Sequence, residues 1–285
     1  MKNLFFSFFT ICTLCACQKA SIYDEGQEQG STPNLVVSIF KLEQTPFSAI
    51  TRAELAEACS RLNFAVYDIE GKRVDQVNQA TGSANFGTAS FQLEEGDYQL
   101  VIVAHSSDGN PTMTDLKKIQ FTNKQGFSDT FLYYGNVTIG EDPVEMYLTL
   151  NRIVALCRFV ITDDYPENVS QMRFYYTGGS GAFDASTGFG SVNSKQSLIF
   201  DVTNDQKQFD LYTFPHDVKG TLSLTVTAYD NVDNIIKERD FEVPVTQNQI
   251  MWLTGPYFTG SGSSSTSAFS IDINTDWAGE NRLEF

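Results

Sequence analysis

The chain has 285 residues, a length that corresponds to about two domains. Hydrophobic residues make up 41% of the sequence and aromatic residues 13%, which is enough for packed cores rather than a disordered chain. The 19 Lys and Arg against 35 Asp and Glu give a formal net charge of −16. This acidity argues against nucleic acid as a partner and against a basic patch that binds anionic lipid. Because only two histidines are present, a zinc site made of three histidines is excluded.

The first 17 residues have the features of an export signal. Lys2 precedes a mainly apolar run from Leu4 to Leu14 that is interrupted by Ser7, Thr10 and Thr13. The run is too short to span a bilayer, for which a helix needs about 20 residues. Its length and the small residues that follow it are typical of a signal peptide, so residues 1–17 are set aside from the fold.

Cys17 ends this segment in the sequence Leu-Cys-Ala-Cys, which resembles a bacterial lipobox. We expect Cys17 to carry a diacyl or triacyl group, because two or more acyl chains hold a protein firmly to a membrane. Gln18 follows the cysteine and favours the outer membrane. The polar residues 18–33 are predicted to tether the folded part to the membrane. Ordinary secretion and a signal retained in the membrane are the alternatives.

The other cysteines leave a choice open. Cys12 and Cys15 form a CxxC pattern, but export would remove the segment that contains them, which disfavours a redox or metal site there. Only Cys59 and Cys157 follow the signal. Export permits a disulfide between these two residues, and two buried free thiols are the equal alternative.

Alternation of apolar and polar residues predicts β-strands in the first half of the chain. A short helix is predicted from Thr51 to Ser60, where Thr51 and Glu54 form a capping box. A hairpin is predicted from Phe91 to Ala104, with its turn at residues 94–97. The further strand predictions are Leu35–Leu42, Leu62–Ile69, Phe131–Ile139 and a long extended run at Val144–Ile161.

The second half repeats this pattern and completes the predicted fold. Its strand predictions are Phe209–Phe214, Thr221–Tyr229, Ile235–Val243, Ile250–Phe258 and Ala268–Ile273. Many short, closely spaced strands indicate an all-β fold of two tandem β-sandwiches with one short helix. We place the N-terminal sandwich at 34–150, the C-terminal sandwich at 151–258, a Gly/Ser linker at 259–267 and a last strand and tail at 268–285.

The sequence carries few motifs with catalytic chemistry, and it has no HExxH, P-loop or GxSxG motif. His105 precedes residues 106–108, which are common turn residues, and His216 lies in a predicted loop. Residues 272–276 begin like a calcium loop but place Trp277 where that loop needs Gly. We therefore predict no catalytic residue, no metal and no cofactor, and we expect that the protein is not an enzyme.

A long loop rich in Gly and Ser is predicted at residues 176–193, and it carries Phe183 and Phe189. Exposed aromatic residues on a loop are candidates for contact with a ligand or a partner. In the alternative interpretation, both rings pack the loop onto the β-sandwich.

Several segments, taken in order, resemble the fimbrial subunit and fimbrial anchor family of type V pili, found on Bacteroides-type bacteria. The resemblance covers nearly the whole chain and rests on the order and spacing of the segments, since no single segment is highly specific. It begins at the lipobox of Cys17 and continues through LVVSIF, ITRAEL, RLNFAVYDIEGK, LEEGDYQLVIVAH, LTLNRIVALCRFVI, VPVTQNQIMWLTGPYF and INTDW.

The resemblance implies two transthyretin-like (Greek-key) β-sandwiches and polymerisation by strand exchange. In that exchange a neighbour's extended strand fills a groove, where backbone hydrogen bonds give affinity and alternate side chains give register. In stalk subunits of the family, an arginine-specific protease cuts after the first strand. Arg52 matches that position, although a solvated residue at the start of a helix is the interpretation we favour for an anchor subunit.

These inferences predict a lipid-anchored protein of the outer membrane, exposed at the cell surface, that serves as a fimbrial anchor or assembly subunit with pilins as partners. The last strand is expected either to complete the chain's own sandwich or to extend to a neighbour. The alternatives are a stalk or tip pilin of the same family, a free-standing adhesin that binds glycan or a host protein, and a lipid-anchored hydrolase.

Overall fold

The fold is built almost wholly from β-strands. A computed structural model describes residues 32–43, 52–122, 126–259, 267–270 and 280–284, with 52–54, 267–270 and 280–282 described by their backbone alone. Contacts divide the chain into Met1–Thr32 and Pro33–Phe285, and every described strand lies in the second unit. The all-β prediction is therefore confirmed.

The first half of the chain forms strands where apolar residues alternate. Its elements are β1 (Leu35–Glu43), α1 (Arg52–Ala58), β2 (Arg61–Asp68), β3 (Arg73–Ala80), β4 (Thr88–Phe91), β5 (Gly96–His105), β6 (Ile119–Gln120), β7 (Thr130–Ile139) and β8 (Val144–Arg152). Seven of these strands form a sheet in the order β3-β2-β5-β7-β8-β1-β4, and β6 joins a different sheet. The predicted helix is present, and α1 ends at Ala58, before the predicted end at Ser60.

The hairpin predicted from Phe91 to Ala104 is wrong in its pairing. β5 pairs with β2 and β7, whereas β4 pairs with β1 at the edge of the sheet. The reason is visible in β5, where every residue from Leu100 to Ala104 is fully buried. A strand that is buried on both faces takes a central place in its sheet, and the four-residue β4 could not cover it.

The second half forms two larger sheets and one small one. Its strands are β9 (Ala155–Ile161), β10 (Gln171–Gly179), β11 (Ala182–Asp184), β12 (Phe189–Gly190), β13 (Ser194–Asp201), β14 (Gln208–Thr213), β15 (Lys219–Tyr229), β16 (Ile235–Thr246), β17 (Ile250–Gly255), β18 (Ser267–Ser270) and β19 (Glu280–Glu284). The larger sheets have the orders β14-β9-β17-β19-β18 and β13-β10-β15-β16, and β12-β11-β6 forms the small sheet.

Three hydrophobic clusters fill this fold. The N core, around Phe64, lies under the seven-stranded sheet, and the C core, around Phe159, lies between the two larger sheets of the second half. The junction core contains residues of both halves, with Phe121, Phe183 and Phe214 at its centre. The ring centroid of Phe214 lies 5.8 Å from that of Phe121 and 5.0 Å from that of Phe183. The division into two sandwich domains at residue 150 stays a prediction.

The two cysteines of the folded unit are free thiols. Cys59 is buried in the N core and Cys157 in the C core. Burial raises the pKa of each thiol to about 12, so that both remain protonated at neutral pH. Of the two alternatives open from the sequence, the structure has the buried free thiols.

Candidate strand-exchange sites

The first candidate site is the place that β1 occupies in the N core. Its sequence, LVVSIFKLE, alternates apolar and other residues until a bulge between Ile39 and Lys41 shifts the register. Alternate side chains of a strand point to opposite faces, and the inward set here is fully apolar. The inward side chains, each no more than 4% exposed, are Leu35, Val37, Ile39 and Leu42.

Strand β1 is held by two neighbours of unequal length. It runs parallel to β8 along its whole length, from the Leu35–Val144 pair to the Glu43–Asn151 pair. On its other side, β4 pairs only with the four residues Leu35 to Ser38. Parallel neighbours such as β1 and β8 cannot be joined by a short turn. β1 therefore lies between β8 and β4 without a hairpin connection to either strand.

The start of β1 is fixed by Asn34. Its Nδ2 donates to the Leu93 carbonyl at 2.8 Å, and its Oδ1 accepts the Leu93 backbone N–H at 2.9 Å. This two-way contact resembles a ladder step and sets the register of the strand that follows.

Arg52, the predicted processing site, is the first residue of α1. Its side chain lies outside the described part of the chain, as do residues 44–50, which connect β1 to the helix. A cut beside Arg52 would leave β1 attached to the fold by its ladder bonds and its inward side chains alone. Processing at Arg52 stays a prediction.

The second candidate site is the edge of the C core that the C-terminal strands cover. β19 runs parallel to β17, with Ile250 opposite Glu280 and Thr254 opposite Glu284, and β18 pairs with the outer side of β19. Leu283 is 9% exposed and belongs to the C core. The C-terminal segment therefore completes the chain's own sheet, which was one of the two alternatives for it.

The chain leaves β17 at a fixed point because Asp163 binds the segment that follows. Its carboxylate accepts the backbone N–H groups of Tyr257, Phe258 and Thr259 at 2.7 to 2.9 Å, and the Thr259 hydroxyl at 3.0 Å. Partial burial alone would raise the pKa of Asp163, but these hydrogen bonds outweigh it and lower the pKa. The predicted linker thus begins at an anchored residue. Sequence reasoning missed Asp163, since nothing in a pair of acids after a strand indicates three backbone partners.

The glycine-rich segment carries the two aromatic residues predicted to meet a ligand or partner. Phe183 lies in β11 and is fully buried in the junction core, whereas Phe189 lies in β12 and is half-buried. The burial of Phe183 agrees with the alternative interpretation, in which aromatic rings hold the segment on the fold. His216 adds to this, since its Nδ1 lies 2.8 Å from the Gly190 carbonyl. A partner contact at either ring stays a prediction.

His105 is not arranged as a catalytic base. The ring is fully buried, its Nε2 lies 2.9 Å from Asn63 Oδ1, and its Nδ1 accepts the Ser107 backbone N–H at 3.1 Å. Burial, and then the charge of Arg61, lower its pKa to about 4. Ser107 Oγ contacts Ser128 Oγ at 3.1 Å rather than the histidine. These hydrogen bonds give His105 a structural role at the end of β5.

Three further sequence features concern other parts of the chain. Cys17 and the calcium-like residues 272–276 lie outside the described residues. Within the described ranges, no group of three or more His, Cys, Asp or Glu is placed to hold a metal ion. No helix among the described residues is long and apolar enough to cross a membrane.

Comparison with known proteins adds the family. The family model described as fimbrillin-A associated anchor proteins Mfa1 and Mfa2 matches residues 43–280. No curated protein sequence matches the chain.

Solved structures resemble the chain at low sequence identity. A candidate adhesin from Bacteroides ovatus ATCC 8483 is 13% identical with a TM-score of 0.51, over 74% of this chain and 83% of that chain. The fimbrial anchor protein Mfa2 from Porphyromonas gingivalis is 13% identical with a TM-score of 0.42, over 73% and 81%. A fimbrial assembly protein from Parabacteroides distasonis ATCC 8503 is 15% identical with a TM-score of 0.42, over 87% and 97%.

At these identities the structural likeness concerns the fold alone, and only the first of the three has a TM-score above 0.5. The family model is a stronger finding, because it spans both halves of the fold, from the last residue of β1 to the first residue of β19. The chain therefore belongs to the family of fimbrillin-A associated anchor proteins Mfa1 and Mfa2.

Proposed function

We propose that the protein is an outer-membrane lipoprotein that holds the base of a fimbria and joins the adjacent pilin by β-strand exchange. The observation that carries the proposal is the place of the C-terminal strands, because β18 follows a Gly/Ser linker and β19 is held between β17 and β18 at the end of the sheet. Such a strand can leave its own sheet and add to a neighbour's sheet with the same backbone hydrogen bonds. Membership of the anchor family supports the fimbrial partner.

The two candidate sites take different roles in this proposal. β1 fills the N core with four inward side chains and stays in place, so that the protein accepts no strand and ends the polymer. The C-terminal segment is the donor, since a Gly/Ser linker joins it to β17 and lets β19 leave without moving the rest of the sandwich. Among its described side chains, Leu283 is the one that would leave the C core, and a buried aliphatic side chain contributes about 1.5 to 3 kcal/mol.

The positions of the chain's two ends also support an anchor. β1 starts opposite Val144, the residue of β8 that is farthest from the junction at Ile153. β17 ends opposite Ile161, the residue of β9 that is farthest from the same junction. Each terminal segment therefore meets its own sandwich at the end remote from the junction. An anchor needs separate sides for the membrane and for the pilin, and β1 and the C-terminal strands belong to different halves of the fold.

The membrane role is tested by counting pili on cells that carry Cys17→Ala. We expect pili to move from the cell surface to the culture medium, as measured by immunoblot and electron microscopy. Cys12→Ala is the matched control, since it changes a cysteine of the same leader without removing the lipidation site, and it should leave pili attached. Pili that remain attached at normal length in Cys17→Ala would refute the anchor role.

The strand-exchange role is tested with a reversible lock on β19. Thr254 and Glu284 are opposite each other in the register of β17 and β19, so Thr254→Cys with Glu284→Cys can form a disulfide between the strands. We expect the oxidised protein to lose capture of purified pilin and the reduced protein to regain it. Thr225→Cys with Asp240→Cys locks β15 to β16, which a short turn already joins, and should leave capture unchanged. Equal capture by locked and unlocked β19 would exclude this strand as the donor.

A further inference from the structure

The second half of the fold contains buried polar atoms that have no hydrogen-bond partner among the described residues. They are both amide atoms of Gln196, the hydroxyl of Ser194 and the hydroxyl of Thr213. Gln196 is 3% exposed and Thr213 is 1% exposed. A buried amide or hydroxyl without a partner strongly disfavours the folded state, and native proteins seldom retain one.

These atoms come from the two facing sheets, and those of Ser194 and Thr213 belong to residues that meet Gly179. Ser194 stands opposite Gly179 in the ladder between β13 and β10, and Gln196 stands opposite Tyr176. Thr213 belongs to β14 in the other sheet, and its Oγ1 occupies the space that a Cβ on Gly179 would take. The Tyr176 hydroxyl donates across the sandwich to the backbone carbonyl just before Thr213, at 2.9 Å. Because Gly179 has no side chain, polar groups of both sheets approach one place.

The neighbouring hydroxyls are already used. Ser180 Oγ donates to the Ala182 carbonyl and accepts the backbone N–H groups of Ala182 and Val192, at 3.2 Å and 3.1 Å. The Tyr176 hydroxyl gives its proton to the facing strand, as described above. The described protein groups nearby therefore supply no partner for the Gln196 amide.

We propose that this end of the second sandwich is a site for ordered internal water, bound by Gln196, Ser194 and Thr213. Gln196 supplies an acceptor oxygen and a donor nitrogen, and each hydroxyl can donate or accept. A buried water molecule makes about three hydrogen bonds, usually to groups that would otherwise have no partner. Water bound here would join β13 and β14, which are edge strands of the two facing sheets. The site would thus hold the open side of the sandwich together.

The direct test is a water-selective NOE experiment on the full folded chain with ¹⁵N labelling. We expect cross-peaks between water and the Gln196 side-chain amide protons, of the sign that a long-lived internal water gives. The measurement needs no substitution, so it does not depend on a variant that folds. Absence of those cross-peaks would overturn the proposal.

A substitution tests the same site by the sign of its effect. Gln196→Met keeps the side-chain volume and removes the amide. If water binds the amide, the variant strands the hydroxyls of Ser194 and Thr213, and the Tm should fall by about 2 to 4 °C. If the amide has no partner, its removal should raise the Tm, which would contradict the proposal. Leu198→Met, on the same inward face of β13, is the control for packing and should change the Tm less.

Discussion

A single side chain, that of His105, makes the stability of the fold depend on pH. Because its Nδ1 accepts the Ser107 N–H, the ring proton is on Nε2 and is donated to Asn63. A second proton would break the contact with Ser107 and place a charge in a buried site. The pKa of His105 is lowered from the ordinary histidine value of 6.5 to about 4 because of this cost, to which burial contributes most and the charge of Arg61 less.

The sign of the pH effect follows from linkage. A histidine whose pKa is lowered by folding binds its proton more readily in the unfolded chain, so its contribution to stability is complete above pH 6.5 and is lost as the pH falls towards 4. We expect the wild-type protein to lose about 2 kcal/mol of unfolding free energy between pH 7 and pH 5 through this group. His105→Gln should show a smaller loss over that range. Urea unfolding at both pH values measures the difference, and equal losses in the two proteins would refute it.

Asp163 acts on the backbone just before the C-terminal segment. Replacing it by Asn removes the charge to which Tyr257, Phe258 and Thr259 donate. Hydrogen bonds to a charged acceptor contribute about 1.5 to 3 kcal/mol. The backbone amide hydrogens of these three residues should therefore exchange with solvent about tenfold faster in Asp163→Asn, or more. Hydrogen exchange read by NMR measures this effect.

Asp164→Asn is the matched control for that prediction. Asp164 is the next residue and is fully exposed, with its carboxylate 3.8 Å from Lys207 Nζ. A surface ion pair at such a distance contributes little, so the three amides should exchange at the wild-type rate. Equal acceleration in both variants would mean that the acids act through general charge rather than through the contacts of Asp163.

At the element scale, β1 depends on its inward side chains, and two adjacent residues test this. Ile39 is buried in the N core, whereas Phe40 follows it on the outer face and is 67% exposed. Ile39→Ala should reduce the unfolding free energy by about 2 to 5 kcal/mol because it leaves a cavity. Phe40→Ala should change it by about 0.5 kcal/mol or less. Urea titration compares the two, and a larger effect at Phe40 would mean that the outer face of β1 is packed.

Alternation of apolar and polar residues in the sequence predicted several strands that have one apolar face. It gave no guide to which strands pair with each other. β1, β2 and β7 lie within a residue or so of their predicted bounds. β10 was missed because its end, Gly178 and Gly179, resembles a loop, although Met172, Phe174 and Tyr176 alternate inward. Strand order could not be read from the sequence, since the pairing of β4 with β1 depends on which strands need cover on both faces.

The candidate sites were also predicted only in part from the sequence. The sequence predicted β1 and a strand after the Gly/Ser linker, because both are apolar segments with clear flanking residues. It did not predict β19, whose sequence Glu-Asn-Arg-Leu-Glu has three charged residues, one amide and one apolar residue, Leu283, which belongs to the C core. It also could not show that Phe183 would be buried, since its cover comes from Phe121 and Phe214, residues distant in the chain.

At the scale of the whole molecule, the junction core couples the two halves. Phe121 and Phe127 of the first half pack against Phe214 of the second, with ring centroids 5.8 Å and 5.3 Å from it. β6 of the first half also pairs with β11 of the second. An anchor that bears a load between its two ends needs both halves to resist opening together, and shared packing of this kind supplies that cooperativity.

The buried thiols allow this coupling to be measured, because Cys59 reports on the N core and Cys157 on the C core. In a protein with Cys12, Cys15 and Cys17 changed to Ser, these are the remaining thiols. Phe209→Ala removes a ring from the C core alone and should cost about 3 to 5 kcal/mol. If the halves unfold as one unit, the urea midpoint for thiol labelling should fall equally at Cys59 and Cys157.

Loss of coupling should then follow from a change in the junction core itself. Phe214→Ala removes the ring that contacts Phe121, Phe127 and Phe183, so the labelling midpoints of Cys59 and Cys157 should separate in this variant. The comparison distinguishes coupling from general destabilisation, because Phe209→Ala lowers stability without touching the junction core. If Phe209→Ala shifts Cys157 while Cys59 keeps its wild-type midpoint, the halves open independently, and a pull on the C-terminal strand would not reach the N core through the junction.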